Sequence, residues 1–272
     1  LMVGETTAVI ALLIDWIFLP LFAYFCLREV WVARRIADVK PILCISSLTL
    51  INGGFHIAAM HGGDVGAWAR AALSVYVLLI TATSGKLIPS FTNSWLAQSG
   101  RPRLAPGNRI VDRFVLTATL LTATMWIDEP SSLLTATMAV VAAGAHLVRA
   151  ARWIRPIILR SPLISGMHFS YGFIPLGLLG MGATALNLLG PLTAMHLLAI
   201  GSVTGMMLAV MNRSIRLHTG RNERISWVQR LSVPCVLFAA GIRIAADLIP
   251  EYYGPVIATS GLFWISAFVL FL

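Results

Sequence analysis

Long apolar runs separated by short polar stretches form the pattern along this chain. Each run comes close to the roughly 20 residues that a helix needs to cross a bilayer core. The runs lack the period-two alternation of an outer-membrane barrel. The sequence therefore predicts an all-α, polytopic transmembrane helical bundle, with nine spans at 5–27, 41–58, 66–87, 110–127, 131–149, 163–186, 191–212, 229–247 and 254–272.

Composition agrees with a membrane location. Hydrophobic residues make up 58% of the 272 positions and charged residues 11%, where a soluble domain has about 25% charged residues. We interpret residues 1–272 as a single transmembrane domain. Because the chain stops at Leu272 inside an apolar run, we expect it to be a fragment of a longer membrane protein.

Positive charge is placed in every second loop. Of the 20 Lys and Arg, all but Arg70 and Arg243 fall within 28–40, 86–113, 149–160 and 213–230. The positive-inside rule predicts that these four loops are cytoplasmic. The net charge of +9 is then explained by the orientation of the chain in the membrane. We therefore expect the lipid bilayer as a partner and no nucleic acid.

The three cysteines, Cys26, Cys44 and Cys235, form no CxxC motif. Neither a disulfide framework nor covalent haem attachment is therefore predicted. The chain also contains no catalytic triad signature, Walker loop, GxGxxG or HExxH motif.

Charged residues inside the spans are candidates for chemistry. Asp15 lies near the middle of the first span, where a carboxylate costs about 2.5–3.5 kcal/mol to insert. A hydrogen-bonded structural aspartate and a proton-path group both fit this position. Arg243 and Asp247, four residues apart, are expected to neutralise one another.

Histidines lie near both ends of the predicted bundle. His56 shares a helical face with Thr49 and Asn52, which fits either a cofactor ligand or an interhelical hydrogen-bond seam. His168 begins a span that Pro175 can kink, and is either a ligand or a hydrogen-bonded core histidine. His196 opens the seventh apolar run.

Span direction sorts these histidines by depth. His56 and His196 are predicted near the outer face, and His168 lies with His218 near the cytoplasmic face. The outer pair could supply two axial imidazoles to a haem, and the inner pair could hold copper, haem or nothing. His146, beside Arg149, is expected to be solvated at the cytoplasmic interface.

We make two further predictions about the spans. Pro89 is expected to end the third helix, so that the loop from Lys86 onward lies at the cytoplasmic surface. The fourth and fifth spans, rich in Thr and Ala, are expected to be structural.

Three stretches carry a resemblance to a known family. The segments GKLIPSFTNSWL (85–96), MHFSYGFIPLG (167–177) and MHLLAIGSVTGMMLAVMNRSIRLHTGR (195–221) resemble the NnrS family of bacterial inner-membrane proteins. The positions that match are Lys86, Pro89, Phe91, Thr92, His168, Pro175, His196, Gly201, Met211, Arg213, His218, Thr219 and Gly220. Some residues differ from the usual family residue: Lys86 stands where arginine is common, Ser90 where an aromatic is usual, and Asn212 where threonine is usual. Arg216-Leu217 replaces a glycine-containing pair before His218.

The resemblance implies a twelve-span inner-membrane protein that contains haem and copper. It implies a role in nitric oxide metabolism and nitrosative-stress protection in denitrifying or NO-exposed bacteria, with an electron donor as a partner. Because histidines lie near both membrane faces within apolar helices, we take His56, His168 and His196 as candidate cofactor ligands, and His218, His168 and His196 as candidate metal ligands. A transporter with a kinked-helix pathway and a scaffold for an electron-transfer partner are the alternatives that the residues leave open.

Overall fold

The computed structural model describes the backbone of residues 5–34, 39–219 and 227–272, and the side chains of 14–34, 42–215, 227 and 229–272. Nine helices in these ranges are long and apolar enough to cross a membrane, and none of the described residues forms a strand. The protein is therefore a polytopic all-α membrane protein, as predicted. The helices are α1 Glu5–Ala33, α2 Val39–His61, α3 Val65–Gln98, α4 Arg109–Asp128, α5 Leu133–Ala151, α6 Pro162–Ala185, α7 Thr193–His196, α8 Gly205–Thr219, α9 Trp227–Leu248 and α10 Tyr253–Phe271.

Helix ends agree with the predicted spans where capping residues or loop residues stop the apolar run. Helices α4, α5, α6, α9 and α10 begin and end within two residues of their predicted limits. Asn108 accepts hydrogen bonds from the backbone N–H of Ile110 and Val111 at the start of α4, and Ser132 accepts one from Thr135 at the start of α5. Such caps satisfy the N–H groups that a helix leaves without partners at its first turn.

The predicted end of α3 at Pro89 is wrong. The helix continues through Pro89 to Gln98. Ile88, Thr92 and Leu96 follow one another at four-residue spacing and are almost fully buried. A proline removes one helical hydrogen bond, and the packing of this buried face holds the helix together across that loss.

The chain divides into two compact units, Leu1–Leu79 and Ile80–Leu272. In the first unit α1 packs against α2, and the Trp68 ring lies where a Cβ on Gly54 would be only 2.3 Å away. Asp64 stands in the loop before α3, where backbone N–H groups of Ala67 and Gly66 and the Arg70 side chain hold the pKa of its carboxyl below the usual value. The prediction of one transmembrane domain stays a prediction.

In the second unit α6 lies at the centre, packed against α5, α7, α8 and α9. The seventh span is not one regular helix, because a π-helical segment, Leu197–Thr204, separates α7 from α8. Glycines allow α6 and the π-helical segment to approach closely: a Cβ on Gly177 would lie 2.5 Å from the Leu198 side chain. Helix α6 itself runs without interruption through the buried Pro175, so the irregular backbone lies in the neighbouring span.

Candidate functional site

The best-defined candidate ligand is His168, which is held by a threonine of α3. The Thr92 hydroxyl donates to the Ile88 carbonyl at 2.8 Å, and its oxygen lies 3.1 Å from His168 Nε2. A hydroxyl has one hydrogen, so Thr92 accepts from His168 and the ring proton sits on Nε2. The Nδ1 lone pair then remains for another partner, and none of the described residues takes it.

This geometry is compatible with a metal ligand and with a structural core histidine. A metal-binding histidine commonly donates its second ring N–H to a protein group, which fixes its tautomer and the orientation of its ring. Thr92 is fully buried, so the anchor itself is rigid. In the neutral His168 ring, Nδ1 is then the nitrogen that carries the lone pair.

The site unites three stretches that are distant in sequence. Phe91 and Thr92 come from the first resemblance segment, His168 from the second and Arg213 from the third. The Arg213 guanidinium lies 4.4 Å from the centre of the Phe91 ring, next to the residue that holds His168. The three segments thus meet at the end of the second unit where the basic loops lie, which we call the basic end.

In the first unit the structure joins Asp15, Asn52 and His56. One oxygen of Asp15, Oδ2, accepts from Asn52 Nδ2 at 3.0 Å and lies 2.8 Å from His56 Nε2. The carboxylate is the acceptor in this pair, which again puts the ring proton on Nε2 and leaves Nδ1 as a lone pair. The polar face predicted for α2 is therefore real, and Asp15 has partners within its own unit.

His196 occupies a different environment. It is half-buried at the end of α7, directly before the π-helical segment, and both Arg243 and Asp247 act on it electrostatically. It belongs to the second unit and His56 to the first, so the outer haem pair stays a prediction. The predicted inner partner, His218, lies in α8, and its side chain is outside the described residues.

The predicted neutralisation of Arg243 by Asp247 is wrong. No ion pair joins them within the part of the chain that the structure describes. Asp247 instead accepts a hydrogen bond from Thr193, and Gly190 leaves it room, because a Cβ there would lie 2.8 Å from the carboxylate. A four-residue spacing allows a pair on one helix, but here the carboxylate turns to the start of α7.

The sequence missed a buried polar network between α4, α5 and α6. His146 is fully buried, with Nε2 2.9 Å from the Thr119 hydroxyl and Nδ1 2.7 Å from the Tyr171 hydroxyl. Thr119 donates its hydrogen to the Val115 carbonyl, so His146 donates from Nε2 and accepts from Tyr171 at Nδ1. The expectation of a solvated interface histidine is wrong.

Arg149 extends this network towards α3 and α4. It is 3% exposed, donates from Nη1 to the Thr81 carbonyl at 2.9 Å, and has Nε 2.9 Å from Asp112 Oδ1. The Nε–H is not aligned with that oxygen, so the contact with Asp112 is an ion pair and not a hydrogen bond. The guanidinium also lies 5.1 Å from the Trp153 ring centre and 5.8 Å from that of Tyr171.

A signal for the network is present in the sequence of α5. Ala139, Ala142, His146 and Arg149 follow one another at three- and four-residue spacing, and all are buried. The small alanines mark a face for close helix packing, and the two polar residues continue it. A residue on such a face is placed inside the bundle even when it lies near a basic loop.

Loss of the Tyr171 hydroxyl is expected to destabilise the protein by about 1–3 kcal/mol, because Tyr171→Phe leaves His146 Nδ1 buried without a donor. The measurement is the thermal unfolding midpoint of the purified variant in detergent. Tyr76→Phe, at a tyrosine that is 37% exposed, is the matched control and should change little. Equal midpoints for the two variants would show that the Tyr171–His146 hydrogen bond does not contribute.

Fold and sites together define a polytopic helical membrane protein in which polar partners orient imidazole groups within the spans. The family model described as NnrS protein matches residues 1–272, so the chain belongs to the NnrS family. Comparison with curated proteins and with solved structures gives no significant match.

Proposed function

We propose that this chain is a haem- and copper-containing membrane protein that handles nitric oxide or a product derived from it. The observation that supports the proposal most is His168, whose Nε2–H is fixed by Thr92 and whose Nδ1 lone pair is left for a metal. Membership of the NnrS family fits a membrane protein connected with nitric oxide.

The donors in the described residues fit a haem better than a complete copper site. A haem can be held by a single histidine, and His168 and His56 each offer one oriented ring. No three His, Cys, Asp or Glu side chains within the described ranges lie close enough to share an ion. A copper ion at His168 would therefore need a ligand beyond these residues, and His218 is the candidate in the sequence. A copper ion at His196 would also need a further ligand.

When bound, a haem would supply a binding site for a small diatomic ligand such as nitric oxide. In this assignment His56, His168 and His196 would each supply a ligand in its own place, and Thr92 keeps the His168 ring in one orientation. Asp15 accepts the hydrogen bond from His56 Nε2, and ionisable side chains within membrane spans are used in proton relays. We assign Asp15 to a proton path on this ground.

The orientation proposed for the protein follows from the basic loops. Residues 28–40, 86–113, 149–160 and 213–230 would lie on the cytoplasmic side of a bacterial inner membrane. His168 then lies towards the cytoplasm, where an electron donor could reach a nearby group, and His56 and His196 lie towards the opposite face.

The test of this function is the absorption spectrum of the purified, reduced protein before and after addition of nitric oxide. We expect haem absorption bands that shift when nitric oxide is added under anaerobic conditions. A protein that carries haem but whose bands do not move would not be a nitric oxide-binding protein.

Replacement of Asp15 tests the site in the first unit separately. Asp15→Asn removes the carboxylate that orients His56, and loss of such a partner lowers metal affinity by about 10–100-fold. We expect a lower content of the group bound at His56, measured as haem and metal per protein. Asp64→Asn, in the loop before α3, is the control, and an equal content in both variants would remove His56 from the ligand set.

A transport function is the alternative, and the π-helical segment is the observation that favours it. Irregular backbone within a span is a feature of membrane transporters and of functional sites more widely. Uptake of nitrite or another small solute into proteoliposomes by protein that contains neither haem nor copper would establish this alternative in place of the proposal.

A further inference from the structure

A small cavity lies at the basic end of the second unit, next to the His168 site but separate from it. Its volume is about 130 Å³, and its lining includes Trp95, Arg160, Ser161, Pro162, Arg213 and Arg230. Neither the resemblance nor the proposed function gives these residues a common role.

Three guanidinium groups from separate parts of the chain line this cavity. Arg160 ends the turn before α6, Arg213 belongs to α8 and Arg230 to α9. Arg213 is 6% exposed, so one positive charge lies inside the protein at the cavity wall. None of the described residues that line the cavity carries a carboxylate, and the three guanidinium groups favour an anion at this wall.

The start of α6 adds hydrogen-bond donors to the same wall. Ser161 precedes this 24-residue helix and makes no side-chain cap, and Pro162 occupies its first turn. Backbone N–H groups of a first turn have no partner within the helix, and the helix dipole favours an anion beside them. The arginines and the helix start therefore act on the same ligand.

Size and position indicate which anion the cavity takes. The volume of about 130 Å³ is well below the roughly 300–1,000 Å³ of a pocket for a drug-sized ligand, so a haem does not fit. Arginine matches phosphate with paired hydrogen bonds. The cavity lies at the ends of membrane-spanning helices, the level at which basic pockets between helices bind lipid headgroups, and Trp95 is a residue type enriched there.

We propose that this cavity binds a phosphate group, either that of an anionic phospholipid or free phosphate that reaches the same arginines. The described lining includes none of the proposed haem and copper ligands, although Arg213 also lies beside the Phe91 ring next to Thr92. A bound phosphate would link the start of α6 to Arg213 of α8 and Arg230 of α9.

The test uses purified full-length chain in detergent, titrated with phosphatidylglycerol, with zwitterionic phosphatidylcholine and with inorganic phosphate. Bound lipid is counted by native mass spectrometry, and the unfolding midpoint is followed in parallel, since a ligand of the native state raises it. Arg160→Gln and Arg230→Gln change exposed cavity residues, so folding is retained. Arg101→Gln removes the same charge from an exposed residue after α3 that does not line the cavity.

Each cavity variant is expected to bind phosphatidylglycerol about fivefold more weakly than the wild type, and Arg101→Gln should match the wild type. Binding of phosphatidylglycerol with this dependence assigns the site to a lipid headgroup. Binding of inorganic phosphate with the same dependence, at no gain from the lipid, assigns it to free phosphate. If both ligands bind the cavity variants as tightly as Arg101→Gln, the proposal is overturned.

Discussion

Replacing Gly85 with alanine is expected to destabilise the protein by about 2 kcal/mol, the size of a lost hydrogen bond to a buried charge. A Cβ on Gly85 would lie 1.8 Å from Arg149 Nη2 and 3.0 Å from its Cζ. The guanidinium must then move, and its contacts with the Thr81 carbonyl and Asp112 are lost. Because the side chain is 3% exposed, water does not replace those contacts.

Gly144→Ala is the matched control in α5. A Cβ there meets no atom within 4 Å, and alanine is favoured over glycine in a helix interior by about 1 kcal/mol. The unfolding midpoint should therefore fall in Gly85→Ala and stay or rise in Gly144→Ala. Midpoints that change alike in both variants would mean that Arg149 does not occupy the space above Gly85.

A double-mutant cycle identifies Arg149 as the cause. In an Arg149→Ala background the space next to Gly85 is empty, so adding Gly85→Ala should cost little beyond the first change. Residues in contact commonly show coupling of about 0.5–3 kcal/mol in such cycles. If the losses of unfolding free energy in Gly85→Ala and Arg149→Ala simply add in the double variant, the destabilisation by Gly85→Ala does not come from contact with Arg149.

His168→Ala is expected to abolish binding of the group that His168 holds, because an alanine has no donor atom for a metal. Thr92→Val should weaken the same binding by about 10–100-fold, because the ring loses the group that orients it. Thr92→Ser keeps a hydroxyl and should restore most of the binding. The measurement is haem and copper per folded protein, with size-exclusion elution as the check on folding.

His61→Ala is the control for these variants. His61 is an exposed residue at the end of α2, and its ring nitrogen Nδ1 lies 2.9 Å from the Ile57 carbonyl oxygen of the same helix. Its removal should leave haem and copper at the wild-type level. A His168→Ala protein with full haem and copper would exclude His168 as a ligand and leave Thr92 with a structural role.

The helices could be predicted because each is a long apolar run bounded by loop residues. That rule uses only neighbours in sequence, and it places the ends of α4, α5, α6, α9 and α10 well. It fails at Pro89, where burial of the face formed by Ile88, Thr92 and Leu96 outweighs one missing hydrogen bond. It also gives no indication of the π-helical segment, which depends on how the seventh span packs against α6.

The polar contacts were harder to predict because their partners are distant in sequence. The spacing in α2 did predict a polar face with Asn52 and His56, but not its partner Asp15, 41 residues from His56. Arg149 reaches the Thr81 carbonyl across 68 residues, and no periodicity within α5 encodes that contact. The only sequence signal for the Thr92–His168 pair is that each residue lies in a segment that resembles the family. The spacing within either segment does not predict the contact.

The haem and copper content of the purified wild-type protein tests the central claim most directly. A pyridine haemochrome spectrum measures the haem, and metal analysis of the same sample measures the copper. We expect haem and copper in fixed proportion to folded protein, with the His168-bound group lost in His168→Ala. Folded wild-type protein, purified from cells supplied with iron and copper, that contains neither would contradict the proposal.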